Sequence, residues 1–460
     1  MYSLDFNRKE HVHFIGIGGI SMSGLAEILL NEGFTVSGSD AKASDLTEHL
    51  KSLGADISIG QSAENINDSI DVVVYTAAVH PDNPEFAEAV RKNLKILKRA
   101  ELLGEIMRNF PVSIGIAGTH GKTTTTSMCA EIFTKAGLDP TISVGGILPS
   151  IGGNIRIGNS DTFITEACEY TNSYHSLYPS IAVILNIDAD HLDFFKDIDD
   201  IADSFNRYAR LVPENGALVI LRDSDKFDTV TKDITCRIVT FGSDRSADYY
   251  PENITYNEFG CASFTCMHNG KALYDFSLSV PGYHNVLNAL ACIAVSEICG
   301  IEAEKINSGL CTFTGADRRF QQKGKLGNIT VVDDYAHHPS EISATLKAAE
   351  NYPHRELWVA FQPHTYTRTK ALLDDFAKAL SLADHVLLAD IYAAREKNTL
   401  GISSDDLREK ISALGTDAKY FSSFAEIENY LSDNCVDNDL IITMGAGDIF
   451  RVGEHLLEKG

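Results

Sequence analysis

Residues 112–127 constrain the fold of this chain more than any other stretch, and they read VSIGIAGTHGKTTTTS. Residues 112–117 form a short apolar run, which is typical of a buried strand. Residues 123–137 follow with the pattern of a helix that Gly137 can end. A glycine-rich turn between strand and helix directs several backbone N–H groups to the positive end of the helix dipole. The stretch therefore predicts an α/β fold with a phosphate-binding loop.

Two side chains of this loop are suited to a nucleoside triphosphate. Lys122 offers a mobile positive charge to the outer phosphates, and the Thr123 hydroxyl can bind Mg²⁺. The usual loop spaces its two glycines more widely before the lysine than Gly118 and Gly121 are spaced here. We interpret the loop as an ATP-binding loop, and a plain structural turn is the alternative.

Length and charge limit the classes of protein to which the chain can belong. Its 460 residues suggest about three domains. A net charge of −25 argues against a nucleic-acid partner or an anionic membrane surface. We find neither an apolar run of the ~20 residues that cross a bilayer nor the apolar core of a signal peptide. Nine cysteines without a CxxC pair indicate reduced core thiols, so we expect a cytoplasmic protein with no membrane span.

The N-terminal region reads as a second strand–turn–helix unit. Residues 11–17 predict a strand, residues 20–32 a helix and residues 34–38 the next strand, which leads into Asp40. Asp40 stands where a ribose-binding acid would in a dinucleotide site. The glycines run G-x-G-G-x-x-x-x-G rather than G-x-G-x-x-G, so the pattern does not establish a nicotinamide site. A diphosphate over residues 16–21 and a tight structural turn are both open interpretations.

Acidic and imidazole side chains follow two further predicted strands. Residues 161–165 lead into Glu166, and residues 180–186 lead towards His191. Ligands gather at the carboxyl ends of strands in open α/β sheets, so we expect Glu166 and His191 beside the phosphate loop. Glu166 could bind a hard cation, and His191 could be a further metal ligand or a carboxylate partner. The alternatives are a helix cap for Glu166 and a core or surface position for His191.

Other polar positions are predicted with less chemistry attached. Asp190 and Asp193 are expected to be helix caps or solvated acids. A hairpin is predicted around residues 268–270, and the helical pattern of residues 282–300 places Asn288 where it could face a nucleotide base.

The C-terminal region alternates strand and helix patterns throughout. Residues 329–332, 357–361, 385–389 and 440–443 read as strands, which predicts another open α/β sheet. The paired arginines at residues 318–319 are unusual in an acidic chain. We interpret them as a phosphate contact across a domain junction, and a solvated surface is the alternative.

Several motifs occur along the chain in one order: HFIGIGGISMSGLA, GTHGKTTT, EACE, DADHLDFF, GYHNVLNALA, DRRF, DDYAHHPSE and FQPHTYTRT. Together they resemble the Mur ligase superfamily over essentially the whole chain. The resemblance implies an N-terminal Rossmann-like domain for a UDP-sugar at residues 1–104. It also implies a central ATPase-type domain with a mostly parallel sheet at residues 105–316, and a C-terminal Rossmann-like closing domain with an open sheet at residues 317–460.

The resemblance also implies an activity. Members of this superfamily form amide bonds with ATP, through an acyl phosphate, and release ADP and phosphate. The opening motif is more specific to the members that add L-alanine to the carboxylate of UDP-N-acetylmuramate in peptidoglycan precursor synthesis. The implied partners are ATP, UDP-N-acetylmuramate and L-alanine, the implied cofactors are ATP and two Mg²⁺ ions, and the implied state is a monomer or a weak homodimer.

By the same resemblance, motif positions of this sequence acquire roles. The implied catalytic residues are Lys122, Glu166, His191, Arg318 and Arg368. The implied metal ligands are Thr123, Glu166 and His191. The implied ATP-binding residues are Gly118, Thr119, His120, Gly121, Lys122, Thr123, Thr124, His284, Asn288, Arg318 and Asp334. The implied substrate-binding residues are Gly16, Gly18, Gly19, Ile20, Ser21, Asp40, His80, His191, Tyr335, His337 and Arg368.

Two departures from the superfamily pattern matter. Thr365 stands where some members carry an arginine, so one anionic contact is absent or supplied elsewhere. Residues 203–207 read DSFNR, without the lysine that related ligases carbamylate, so we expect no modified lysine. The competing functions are a recycling ligase that attaches a preformed tripeptide, a nicotinamide-dependent oxidoreductase and a catalytically idle nucleotide sensor.

Overall fold

The computed structural model of the chain describes residues 2–76, 78–192, 194–394 and 396–459. Asp193, expected to be a cap or a solvated acid, lies outside these residues. The chain divides into two compact units. Unit 1 comprises Met1–Ile187 and Asp199–Val239, and unit 2 comprises Asp188–Ile198 and Thr240–Gly460.

Unit 1 begins with a five-stranded sheet in the order β3-β2-β1-β4-β5, in which neighbouring strands are parallel. The strand order reverses between β1 and β4, and ligand crevices of open α/β sheets lie at such a reversal. The elements are β1 His11–Ile15, α1 Ile20–Asn31, β2 Thr35–Asp40, α2 Asp45–Ser52, β3 Asp56–Ile59, β4 Val72–Tyr75, α3 Pro84–Arg91, β5 Lys95–Lys98 and α4 Arg99–Met107.

The rest of unit 1 is built on strands in the order β11-β10-β6-β9-β7-β8. Neighbours are parallel except β8, which pairs with β7 in the antiparallel sense. The division of the chain falls within β12. The elements are β6 Val112–Ala117, α5 Lys122–Lys135, β7 Thr141–Leu148, β8 Gly153–Arg156, β9 Thr162–Glu166, β10 Ile181–Ile184, α6 Ile198–Ala209, β11 Ala217–Leu221, α7 Phe227–Val230 and β12 Arg237–Phe241.

Unit 2 contains an antiparallel set of strands, β13-β14-β15, and two helices that pack on it. The predicted hairpin around residues 268–270 is confirmed. Asn269 and Gly270 both have positive φ, 50° and 77°, as a tight two-residue turn requires. The elements are β13 Tyr249–Tyr256, β14 Cys261–His268, β15 Lys271–Pro281, α8 Tyr283–Ile298 and α9 Ala303–Thr312.

Unit 2 also contains a six-stranded sheet in the order β16-β17-β21-β18-β19-β20, in which only β16 is antiparallel to its neighbour. Its two faces bury separate apolar clusters, one under α10, α12 and α13 and one under α14 and α15. The elements are β16 Gln321–Leu326, β17 Ile329–Asp334, α10 Pro339–Ala349, β18 Leu357–Phe361, α11 Tyr366–Ala371, α12 Leu373–Leu380, β19 His385–Leu388, α13 Ser404–Ala413, β20 Asp417–Tyr420, α14 Phe424–Asn434, β21 Leu440–Met444 and α15 Phe450–Lys459.

The predicted α/β fold class with three successive sheet regions is confirmed. Some predicted details are wrong. The first strand ends at Ile15 because Gly16, at φ 84°, already turns the chain. The expected domain boundary at residue 104 lies within α4, and the three domain ranges stay a prediction. All nine cysteines are free, but Cys168 and Cys311 are exposed, so the expectation of core thiols is wrong for these two.

Candidate active site

The phosphate loop of unit 1 takes the form that its glycines allow. β6 ends at Ala117, and Gly118 and Gly121 follow with φ of 145° and 82°. Side chains rarely adopt such backbone angles. A Cβ atom on Gly118 would also lie 2.9 Å from the Cβ of Leu185 on the neighbouring segment. α5 begins at Lys122, so the loop delivers the backbone of residues 118–121 to a helix N-terminus, as predicted.

Asn186 fastens this loop from the segment that follows β10. Its side-chain Oδ1 accepts from the His120 N–H at 2.7 Å, and its Nδ2 donates to the His120 carbonyl at 3.0 Å. The Thr119 N–H donates to the Asn186 carbonyl at 3.2 Å. One residue therefore fixes two positions of the loop through three hydrogen bonds. Asn186 was not predicted as a site residue, because an Asn at a strand end has no distinctive spacing.

The Lys122 side chain folds back onto its own loop and onto Glu169. Its ammonium donates to the carbonyls of Gly118 and Thr119 at 2.5 and 2.9 Å, and it lies 2.9 and 3.1 Å from the two Glu169 oxygens. The side chains of Lys122 and Glu169 are only 17% and 3% exposed. Burial acts to lower the pKa of Lys122, but the Glu169 carboxylate outweighs it and the pKa is raised. The ammonium is therefore kept charged.

The candidate metal ligands Thr123 and Glu166 flank the same stretch of β7. The Gly145 N–H donates to Glu166 Oε1 at 2.7 Å. A Cβ atom on Gly145 would lie 2.5 Å from Glu166 Oε2, and one on Gly146 would lie 3.3 Å from the Thr123 methyl. Thr123 and Thr124 stand in the first turn of α5, and Glu166 ends β9. A hydroxyl and a carboxylate at this place are oxygen donors of the kind that Mg²⁺ takes together with substrate phosphates.

The first glycine turn of unit 1 is closed by Asp40. Asp40 Oδ2 accepts from the Gly18 N–H at 2.9 Å, and a Cβ atom on Gly18 would collide with this carboxylate at 2.8 Å. Gly19 then precedes α1, whose first residues Ile20 and Ser21 are exposed. These contacts give Asp40 a role in shaping the turn. Gly16 directly follows β1, and His80 lies in the segment after β4. The role of these unit 1 positions in substrate binding stays a prediction.

In unit 2, a buried ion pair joins Arg368 and Asp190. Asp190 Oδ1 accepts from Arg368 Nη2 at 2.9 Å and from Nε at 3.2 Å, and the two side chains are 12% and 8% exposed. Burial acts to raise the pKa of Asp190, but Arg368 and His191 hold it below its usual range. The expectation that Asp190 is a cap or a solvated acid is therefore wrong. His191 Nε2 lies 3.9 Å from Asp190 Oδ2, so His191 and Arg368 both lie beside the Asp190 carboxylate.

Three imidazole side chains lie near the Arg368–Asp190 ion pair. His364 Nδ1 lies 3.2 Å from Arg368 Nη1, and its ring centroid lies 5.9 Å from that of His337. His338 is the N-cap of α10, and its Nε2 lies 3.3 Å from the Ala189 carbonyl oxygen. Burial, reinforced by Arg368 and opposed by Glu341, lowers the pKa of His337 to about 4. His337 is therefore neutral at physiological pH.

Arg318 is anchored at several points within unit 2. Its Nε donates to Asp333 at 2.8 Å, and its Nη2 and Nη1 donate to the carbonyls of Gly445 and Gly447 at 2.7 and 3.3 Å. Its guanidinium also lies 4.9 Å from the centre of the Tyr335 ring. Three of the five guanidinium N–H groups thus hold residues of unit 2 together. The expected phosphate contact of Arg318 stays a prediction.

Three expected ATP-binding residues are well accounted for by the packing of unit 2. Asp334 accepts from the N–H groups of Phe320 and Ala336 at 2.7 and 2.8 Å, and burial raises its pKa to about 6. Asn288 is buried and donates to Asn285 at 3.1 Å. Burial lowers the pKa of His284, beside Gly282, to about 4. The binding of ATP at these positions stays a prediction.

Comparison with known proteins gives matches along the whole chain. The matching family models are described as Mur ligase family, catalytic domain, over residues 11–111, Mur ligase middle domain, over residues 116–296, and Mur ligase, glutamate ligase domain, over residues 318–447. A UDP-N-acetylmuramate–L-alanine ligase from Agathobacter rectalis is 59% identical over 459 residues, which cover 100% of each chain. The chain belongs to the Mur ligase family.

Solved structures place the fold in the same family. The UDP-N-acetylmuramate–alanine ligase of Thermotoga maritima superposes with a TM-score of 0.79 at 30% identity and covers 98% of both chains. A murein peptide ligase from Psychrobacter arcticus superposes with a TM-score of 0.67 at 26% identity, again over 98% of both chains. Among the described residues of this Mur ligase, no helix is long and apolar enough to cross a bilayer.

The structure gathers part of the predicted site of this Mur ligase within each unit. In unit 1, the loop residues 118–121 stand beside Lys122, Thr123 and Glu166. In unit 2, Arg368 and His191 lie beside Asp190, and the His337 ring lies 5.9 Å from that of His364, which contacts Arg368. The residues that sequence reasoning missed are Asn186, Glu169 and Asp190. Glu169 is the last residue of the EACE motif, three positions after Glu166. This spacing could have identified it as a candidate site residue.

Proposed function

We propose that this Mur ligase joins L-alanine to the carboxylate of UDP-N-acetylmuramate with ATP, releasing ADP and phosphate in peptidoglycan precursor synthesis. The geometry of the phosphate loop carries the proposal. A charged Lys122 ammonium lies beside the glycine loop at the N-terminus of α5, the positive end of the helix dipole. The whole-length similarity to a UDP-N-acetylmuramate–L-alanine ligase supports the choice of acceptor and amino acid.

The first step transfers the γ-phosphoryl group. A carboxylate oxygen of UDP-N-acetylmuramate forms a bond to the γ-phosphorus, the bond to the bridging β-oxygen breaks, and ADP leaves with the electron pair. Negative charge spreads over the transferring group, so positioned cations supply most of the catalysis. Lys122 and the positive end of the α5 dipole carry this role at the phosphates, and Arg368 and Arg318 are the further cations that we assign to the anionic groups.

The second step forms the amide bond. The neutral amine of L-alanine attacks the acyl carbonyl, and a tetrahedral intermediate carries the negative charge on oxygen. This intermediate collapses with cleavage of the carbon–oxygen bond, the electron pair leaves with phosphate, and the nitrogen gives its extra proton to water. We assign His191 and His337 to the acceptor side of the reaction. The low pKa of His337 keeps it neutral and able to accept a hydrogen bond.

We assign Thr123 and Glu166 as residues that would hold Mg²⁺, and the role of His191 as a metal ligand stays a prediction. The hydroxyl and carboxylate donors of unit 1 fit this ion. When bound, the ion neutralises charge on the phosphate oxygens and draws them towards the loop. We further propose cytoplasmic activity as a monomer or weak homodimer. The domain ranges 1–104, 105–316 and 317–460 correspond to UDP-sugar binding, ATP binding and closure.

The test is ADP release from the purified full-length chain. We expect ADP only when UDP-N-acetylmuramate, L-alanine, ATP and Mg²⁺ are all present. Lys122→Ala should lower kcat/KM by several hundredfold, about 3–4 kcal/mol of transition-state stabilisation. Lys135→Ala, an exposed lysine at the other end of α5, is the matched control and should change little.

Several outcomes would reject the proposal. ADP release that persists when UDP-N-acetylmuramate or L-alanine is omitted contradicts amide ligation. Turnover with a tripeptide but not with L-alanine assigns the chain to peptide recycling instead. Full activity of Lys122→Ala removes the ATP loop from the mechanism.

A further inference from the structure

The Lys122 ammonium already has an acceptor for each of its N–H groups. A lysine ammonium carries three N–H donors. Two point to the carbonyls of Gly118 and Thr119, and Glu169 lies 2.9 Å from the nitrogen. A phosphate that binds the ammonium must therefore replace one of these acceptors.

The contact with Glu169 is the one that a phosphate replaces most readily. The two carbonyls belong to the loop itself, within four residues of Lys122, and they carry no net charge. Glu169 comes from another segment, just after β9, and its carboxylate is buried. Two anions on the same ammonium repel each other, and this repulsion is strong where water is excluded.

We propose that Glu169 is a positioning residue that holds the Lys122 ammonium while no phosphate is bound and takes it back when the nucleotide leaves. The inference rests on the proposed function, in which Lys122 binds the ATP phosphates. It adds that nucleotide binding at this loop exchanges one anionic partner of the lysine for another. Glu169 thereby weakens the hold of the site on ADP and favours product release.

The exchange has a thermodynamic consequence for a variant without the Glu169 charge. In a buried pair, the removal of one partner leaves the other charge uncompensated. Glu169→Gln therefore destabilises the nucleotide-free state, in which the carboxylate compensates Lys122. It affects the nucleotide-bound state less, because phosphates compensate Lys122 there. The difference between these two effects makes the variant bind ADP more tightly.

The experiment compares the full-length wild type with Glu169→Gln, Glu169→Asp and Glu48→Gln. Glu48 is an exposed glutamate that pairs with Lys51 at 2.9 Å, so it is a matched control for loss of charge in a Lys–Glu pair. ADP affinity is measured by calorimetry, ADP dissociation by displacement of a fluorescent analogue, and kcat and KM for ATP in the ligation assay.

We expect Glu169→Gln to bind ADP roughly three- to tenfold more tightly, with ADP dissociation slowed by a similar factor. KM for ATP should fall, and kcat should fall with it if ADP release limits turnover. Glu169→Asp keeps the charge and should lie between Glu169→Gln and the wild type. Glu48→Gln should match the wild type. A purely structural role for Glu169 would lower the folded fraction without tightening ADP binding.

Unchanged or weaker ADP binding by Glu169→Gln would overturn the inference. If this variant does not fold, Glu169→Asp decides, because its shorter side chain reaches the ammonium less well and should shift ADP affinity in the same direction. An unshifted affinity in a folded Glu169→Asp would overturn the inference as well.

Lys122→Ala separates this inference from the proposed function. If the wild type binds no ADP, or if Lys122→Ala binds ADP as well as the wild type, the proposed function fails and the inference fails with it. If Lys122→Ala weakens binding but Glu169→Gln does not tighten it, only the inference fails. In the Lys122→Ala background, Glu169→Gln should have lost its effect on ADP affinity.

Discussion

The two buried ion pairs of this molecule, Lys122–Glu169 in unit 1 and Arg368–Asp190 in unit 2, are alike in exposure but differ in construction. Each of the four side chains is less than one-fifth exposed. Glu169 lies 47 residues from Lys122, whereas Asp190 lies 178 residues from Arg368. The guanidinium makes two hydrogen bonds to one carboxylate oxygen, and the ammonium shares its donors with the backbone.

This difference in construction determines which cation can change partner. A guanidinium is a planar group whose donors point in fixed directions, and an ammonium is a compact charge on a flexible stem. Arg368 is therefore held in one orientation by Asp190, whereas Lys122 can turn towards a new anion without moving its backbone. The two pairs also have different neighbours. Two histidines that can change protonation state, His337 and His364, lie near Arg368.

The Arg368–Asp190 pair is the less adaptable of the two, and we expect its loss to reduce stability most. Asp190→Ala leaves the Arg368 guanidinium buried without its carboxylate, which should destabilise unit 2 by about 3–5 kcal/mol. Chemical denaturation monitored by the fluorescence of Trp358, which lies in unit 2, measures the loss. Asp375→Ala, at an exposed acid on α12 near Lys378, is the control. A loss below about 1 kcal/mol would put Asp190 on a par with a surface acid.

The second prediction concerns the titrating neighbours of Arg368. The pKa of His337 is about 4 in the folded chain and about 6.5 when unfolded, so the folded state resists protonation between these values. Unit 2 should therefore lose up to about 3 kcal/mol as the pH falls from 6.5 to 4, and this loss should be absent above pH 6.5.

The comparison of wild type with His337→Gln isolates this contribution. Asp334 acts in the opposite direction, because its raised pKa of about 6 makes the folded state gain stability as the pH falls from 6 to 4. The difference in denaturation midpoint between the two proteins should shrink or reverse on acidification. An NMR titration in which His337 protonates near pH 6.5 would contradict the prediction.

A smaller effect is expected at the clamp of the phosphate loop. Asn186→Ala removes the two side-chain hydrogen bonds to His120, each about 1 kcal/mol in net terms. Stability of unit 1 should fall by about 2 kcal/mol, and KM for ATP should rise because the loop is held less firmly. Asn159→Ala, in an exposed turn, serves as the control. An unchanged KM for ATP would show that the loop stays rigid without Asn186. The ability of Lys122 to turn towards a new anion would then alone determine how the loop binds ATP.

The smallest expected effect tests the Glu166 carboxylate. Gly145→Ala puts a methyl group where Glu166 Oε2 stands, and the flexible end of the side chain can move away. Stability should change by less than about 1 kcal/mol, while the Mg²⁺ concentration for half-maximal activity rises about fivefold. Gly153→Ala, where a Cβ atom meets only one backbone oxygen at 4.0 Å, is the control. An unchanged Mg²⁺ requirement would show that Glu166 does not bind the metal ion.

The sequence predicted what depends on local pattern. The strand–loop–helix around Lys122 and the Asn269–Gly270 hairpin follow from glycine positions and apolar runs. Asp190 could not be predicted as the partner of Arg368, because a contact over 178 residues depends on how distant elements pack. β7 was missed because its two central glycines interrupt the strand pattern.

Because Asn186 holds the phosphate loop, the loop cannot be transferred to another protein as a short peptide. Its clamp arrives 66 residues after His120, so a graft of the glycine turn and first helical turn into another protein would lack it. During synthesis, the growing chain cannot complete the loop until the segment after β10 has left the ribosome. A nascent chain truncated before residue 186 should therefore fail to retain nucleotide, however well its first sheet has folded.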